Sequence, residues 1–171
     1  MQETPQQYIA RMLAFSAGKD PLAILSGTAG RLRALVESVP PEQWRRRPQP
    51  GRWSPGEVLA HLADVEIVIG WRMRSILARY GVPLQAFDQD VWAAAFRYQD
   101  VEPREALETF SAARASLLSL LRRVQPGRLA HHGMHAERGR ETVQHLLRLN
   151  AGHDLNHVTQ IEQMLEAQAG S

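Results

Sequence analysis

The sequence predicts an all-α protein, a four-helix bundle, on three observations. Apolar residues recur at helical spacing in four long segments. Capping residues, Pro and Gly punctuate those segments where helices start and stop. No segment alternates with period two and β-branched residues do not cluster, so strands are not expected.

Thr4-Pro5-Gln6-Gln7 has the form of a capping box with Pro at the first helical position. It opens a short N-terminal helix ending near Gly18. Asp20-Pro21 starts the first main helix, with Leu22, Leu25, Leu32, Leu35, Val36 and Val39 inward and Pro40-Pro41 as its stop. A connector rich in Pro and Arg runs from Pro40 to Trp53. Ser54-Pro55-Gly56-Glu57 then supplies an N-cap, a Pro at N1 and a Glu at N3 for the second main helix. Its inward stripe is Val58, Leu62, Val65, Ile69, Met73 and Ile76, and Gly81 and Pro83 end it. Residues 82–102 are aromatic and weakly patterned. They predict a long crossover loop with one short helix from Asp88 to Ala95, and loops this long usually have a task such as covering a site. Pro103 begins the third main helix, with Leu107, Phe110, Leu117 and Leu121 inward, and Gln125-Pro126-Gly127 terminates it. A polar loop from Arg128 to Arg140 holds His131, His132 and His135. The last helix runs from Thr142 to about Gln168, with Val143, Leu146, Leu147, Ile161, Met164 and Leu165 on its core face. The expected fold is therefore a four-helix bundle in one domain over residues 1–171. It has a long crossover between the second and third main helices and a short N-terminal helix.

Composition narrows the function. With no cysteine, disulfides and thiolate ligands are excluded, and a bound metal must be held by nitrogen or oxygen. No stretch approaches the ~20 apolar residues that span a bilayer. Met1-Gln2-Glu3-Thr4-Pro5 lacks a basic region followed by an apolar one, so no leader and no membrane association are expected and a cytoplasmic location is. The formal charge is +2, and acidic residues are interspersed with the arginines throughout. Arg45-Arg46-Arg47 is the only basic run, too short for a nucleic-acid footprint, so no nucleic-acid partner is expected.

The histidines carry the chemistry. His153 and His157 are four residues apart, on one helix face and about 5–6 Å apart at Cβ. Along that face lie Leu146, Asn150, His153, His157, Ile161 and Met164, so the pair belongs to the inward row. His61 lies three residues after Val58 and four before Val65, inward on a second helix. Three core histidines bonded to separate neighbours would be the ordinary alternative. Burying three imidazoles together leaves several polar atoms to satisfy, and one cation satisfies all three. Three protein ligands leave a coordination position free, the arrangement of a catalytic zinc-type site. Asp64, Asn150 and Gln160 are candidate partners for the rings, whereas Asp154 points about 100° away from His153 around the helix. His135, in the loop before the last helix, is placed to reach the mouth of such a site. His131, His132 and His145 have no comparable argument.

Four stretches resemble the DinB/YfiT-like family of four-helix-bundle metal proteins. They are Gly51-Arg52-Trp53-Ser54-Pro55-Gly56-Glu57-Val58-Leu59-Ala60-His61-Leu62-Ala63-Asp64, Phe87-Asp88-Gln89-Asp90-Val91-Trp92, His135-Ala136-Glu137-Arg138-Gly139 and Gly152-His153-Asp154-Leu155-Asn156-His157. The resemblance implies a divalent metal, often zinc or nickel, on the residues that match His61, His153 and His157, and in several cases a homodimer. It implies either transfer of a low-molecular-weight thiol or metal-dependent hydrolysis of a small-molecule substrate. Three neutral imidazoles leave the ion's charge intact, which acidifies a bound water or thiol. For hydrolysis, Glu57 and His135 are the candidate general bases. For an acidic thiol cosubstrate such as glutathione or bacillithiol, Arg52, Arg138 and Arg140 are candidate rim cations. A non-enzymatic metal-binding or stress-response bundle is the rival from another class, and a fourth protein ligand would mark it.

Overall fold

A computed structural model describes residues 3–170; Met1 and Gln2, the start of the stretch read for a leader, lie outside the described residues. Thr4 caps α1 (Pro5–Phe15) in the expected reciprocal box with Gln7. Asp20 caps α2 (Pro21–Ser38) through Leu22 N. The connector rich in Pro and Arg contains a short helix that the sequence reading did not include, α3 (Pro41–Arg45), which seats the indole of Trp44 in the core. Ser54 and Glu57 form the capping box of α4 (Pro55–Ala78). The long connection then carries strand β1 (Val82–Leu84) and α5 (Gln89–Ala95), capped by Asp88. It leads to α6 (Pro103–Leu121), which stops a turn before the expected Pro126.

The expected loop from Arg128 to Arg140 is mostly structured. A 3-10 turn (Pro126–Ala130) precedes a hairpin of β2 (His132–His135) and β3 (Gly139–Thr142). β1 pairs in parallel with β2, and β2 in antiparallel with β3. Strands of three or four residues are too short to show a period of two. Gly139, at φ +75°, supplies the left-handed residue of the hairpin turn opposite His135. Thr142 caps the last helix, α7 (Val143–Ala169), through His145 N.

The four main helices are α2, α4, α6 and α7. α4 packs against α6 and α7, and α2 packs against the same two, while α1 lies along α7. Helices consecutive in sequence, α2 with α4 and α6 with α7, therefore stand across the diagonals. No helix among the described residues is long and apolar enough to cross a membrane.

A buried polar layer divides the core. Phe110, Leu62, Ile161 and Trp44 belong to one apolar cluster; Leu25, Met73, Leu117 and Leu146 belong to the other. Between them Arg114, 2% exposed, spends all five N–H donors. Nε and Nη2 bond Glu66, Nη1 and Nη2 bond Asp154, and Nη1 also bonds the Leu25 carbonyl, all at 2.7–3.0 Å. Thr28 donates to Asp154 and Asn150 to Glu66. One residue or more from each main helix thus meets at this node, next in sequence to His153.

Candidate metal centre

His61 sits in the first turns of α4, where every residue from Pro55 to Ala63 is buried. His153 and His157 occupy successive turns of α7 facing it. One nitrogen from each ring lies within 4.8 Å of the other two. The Nε2 atoms of His61 and His153 are 3.2 Å apart. Two nitrogens bound at ~2.0–2.1 Å to one tetrahedral ion are ~3.3 Å apart, so the spacing fits a zinc-sized cation. Among the described residues no further His, Asp or Glu joins the group.

The rings are in the ligand form. Burial, reinforced by the neighbouring His157, lowers the His61 pKa to about 3. Burial lowers that of His157 to about 4 against the opposing bond from Gln160. Burial, with His157 and His61 beside it, takes His153 well below its ordinary range. All three are neutral at pH 7, with lone pairs available. His157 Nδ1 donates to Gln160 Oε1 at 2.8 Å, which fixes its tautomer and leaves Nε2 free. The Nδ1 atoms of His61 and His153 are buried without a partner, so packing holds these rings, with Trp53 against His61 at 5.2 Å. Three convergent neutral nitrogens, two of them at the spacing of tetrahedral ligands, form a set that a divalent cation fits.

The other candidates fall in different places. Glu57 is buried at the N3 position, its carboxylate engaged by Arg47 (2.9 and 2.5 Å) and by Ser54 N (2.8 Å). Burial would raise its pKa, but Arg47 and Ser54 outweigh that and hold it low. Its oxygens serve the cap and the ion pair. Asp64 accepts the Tyr98 hydroxyl at 2.6 Å instead of bonding His61 or a surface Arg. Asp154 and Asn150 are spent in the polar layer. His135 is buried at the end of β2, and its Nδ1 accepts from Glu137 N and Arg138 N. Arg138 lines a cavity shared with His61 and His153, ion-paired to Glu141 at 2.7 Å. Arg52 lines an open cleft of about 1030 Å³ that reaches His157. Arg140 is exposed on β3, and strand alternation places it on the face opposite the buried Glu141.

Sequence patterning missed Tyr8 and Arg11 of α1, and Arg72 of α4, all of which line the spaces around the triad. Arg72 had a readable signal: it follows His61, Val65 and Ile69 along one inward face. Tyr8 and Arg11 had none, because nothing local tells where α1 docks.

Comparison with known proteins agrees with this architecture. YfiT from Bacillus subtilis, described as a probable metal-dependent hydrolase with an unusual four-helix bundle topology, superposes with a TM-score of 0.81 at 17% identity, covering 98% of this chain and 91% of that one. TT2238, described as a four-helix bundle protein, gives 0.62 at 22% identity over 84% of this chain and 96% of its own. No match was found among curated protein sequences. The sequence profile of the DinB superfamily matches residues 24–161, a span that holds all four main helices except their outer ends and contains the three clustered histidines. By that match the chain belongs to the DinB superfamily.

Proposed function

We propose that the chain is a metal-dependent hydrolase of small molecules, holding a divalent cation on His61, His153 and His157. The observation that supports this reading is the ligand count: three neutral imidazoles, those of His61 and His153 buried and that of His157 half-buried, converge, and among the described residues no fourth protein ligand joins them. A structural zinc site is usually closed by four protein ligands, so the count disfavours a purely structural ion. The likeness to YfiT, described as a probable metal-dependent hydrolase, supports the same chemistry. When bound, such a cation supplies a Lewis acid and an acidified water at neutral pH.

The chain's own residues do the rest. Gln160 orients His157, and Trp53 packs against His61 and limits its access to water. The polar layer at Asp154 holds α7 in register with α4, through Arg114 and Glu66. The open cleft beside His157 admits the substrate.

A second chemistry, transfer of an acidic thiol, is favoured by one feature of that cleft. Four arginines line it: Arg11, Arg46, Arg47 and Arg52. Arg11 and Arg47 are neutralised by Glu3 and Glu57, while Arg46 and Arg52 pair with no carboxylate among the described residues. With no cysteine in the chain, a nucleophilic sulfur must arrive on the small molecule.

The test is metal content of the purified protein, followed by hydrolysis of an activated ester and conjugation of glutathione to an electrophilic dye, each with and without chelator. Hydrolysis abolished by chelator and restored by zinc or nickel is the expected result. Conjugation with those properties and no hydrolysis would transfer the conclusion to the thiol reading. Activity indifferent to chelator would defeat both.

A further inference from the structure

Two arginines are buried to nearly the same degree and compensated in opposite ways. Arg114, 2% exposed, has two carboxylates and no idle donor. Arg72, 4% exposed, pairs with no carboxylate among the described residues. Its Nη2 donates to the backbone carbonyl of Gln85 and its Nε has no partner. The Phe87 ring lies 6.0 Å from its guanidinium carbon. Burial, helped by the charge of Arg138, lowers its pKa to about 10, so it remains ionised at neutral pH. Glu141 and Glu137 act on it only from beyond ion-pair distance; a buried charge whose hydrogen-bond partners are all neutral is costly, and the missing partner is an anion.

A second donor stands beside it. His135 Nδ1 accepts two backbone N–H groups, at 3.2 and 3.3 Å, so its proton is on Nε2. That Nε2 lies 3.4 Å from Arg72 Nη2. Two donors therefore face one another with no acceptor between them.

Arg72 also lines a cavity of about 170 Å³, together with His61 and His153. His61, Val65, Ile69 and Arg72 follow one another along a single face of α4, so the cavity runs along that helix from the triad to the guanidinium. Eleven residues of helix place the two ends ~16 Å apart at Cα, and helical side chains lean toward the N-terminus, which carries Arg72 toward His61. Val65, Val68, Ile69, Phe87 and Leu149 give it an apolar wall.

We propose that Arg72 is the anion-recognition group of this cavity and takes the carboxylate of a short aliphatic acid, the rest of which lies along the apolar wall toward the triad. That the far end of such a molecule is the reacting end rests on the metal-centre reading; the carboxylate subsite does not. A planar guanidinium matches a carboxylate, and the small volume excludes a large anion.

The experiment is calorimetric titration of the metal-free chain, residues 1–171, with butyrate and with its uncharged isostere butyramide, on the native sequence, Arg72→Gln and Arg72→Lys. Zinc stoichiometry of each protein is measured separately. Butyrate is expected to bind the native chain at least about tenfold more tightly than butyramide, and Arg72→Gln to lose that preference while keeping full zinc. Arg72→Lys, which keeps the charge without the fork, is expected to retain a reduced preference for butyrate. Equal binding of butyrate and butyramide by the native chain, no binding of butyrate at all, or an undiminished preference in Arg72→Gln would overturn the proposal. Absence of stoichiometric zinc from the native chain, with its butyrate preference intact and lost in Arg72→Gln, would instead sink the metal-centre reading alone.

Discussion

The backbone carbonyl of Met12 occupies the space beside Gly152 that any other residue would need for its first side-chain carbon. A Cβ at Gly152 would stand 1.8 Å from that oxygen. The close approach presses α1 onto α7 one residue before His153 and brings Tyr8 and Arg11 to the edge of the triad. Gly152→Ala must therefore push α1 away. We expect a loss of about 3 kcal/mol or more, read by denaturant unfolding. Residues 5–15 should become the fastest-exchanging helix by hydrogen exchange. Unchanged protection there would show that α1 docks elsewhere.

Metal binding should fail one histidine at a time. Alanine at His61, His153 or His157 removes one of only three donors, and each variant should purify with far less than stoichiometric metal. Gln160→Leu, which frees the His157 ring to turn, should weaken zinc by about tenfold to a hundredfold and leave the fold intact. Full native affinity in His61→Ala and His157→Ala together would mean the cation sits elsewhere.

Acid should destabilise the metal-free protein through these same rings. His61 titrates near 3 when folded against 6.5 when unfolded, so between those values only the unfolded chain holds the proton. Stability is full above 6.5 and declines as pH falls toward 3. The loss from His61 is about 2 kcal/mol at about pH 5. The slope of unfolding free energy against pH, measured with chelator present, should be smaller for His61→Leu than for the native chain. Identical slopes would show that the ring is solvated.

The polar layer should tolerate no single deletion. Arg114→Leu strands Glu66 and Asp154 facing each other in the core, at a cost of about 3–5 kcal/mol. Because Asp154 adjoins His153, zinc affinity should fall along with stability. A variant as stable as the native chain would mean water reaches this layer.

Helical periodicity and caps were enough to place all the main helices, because each depends on residues within a turn or two. Thr4, Asp20, Ser54 and Thr142 cap their helices by bonds to neighbours two or three residues away. The small sheet was invisible for the opposite reason. β1 and β2 are paired across some fifty residues and are too short to impose a pattern. Trp44 and α3 were missed because a single apolar residue between prolines has no periodicity.

The inward rows of α4 and α7 were legible, and with them the three imidazoles, since the face of a helix is a matter of counting residues. How those faces meet was not. That His61 and His153 approach to 3.2 Å depends on which helices are neighbours, and here α2 stands diagonally across from α4, and α6 from α7, which leaves α4 beside α7. The fate of each charged side chain was equally a matter of neighbours. Glu57 met Arg47, Asp64 met Tyr98, Arg114 met two carboxylates and Arg72 met none. Local order is written in nearest neighbours along the chain, whereas pairing of buried charge is settled by packing between segments far apart in it.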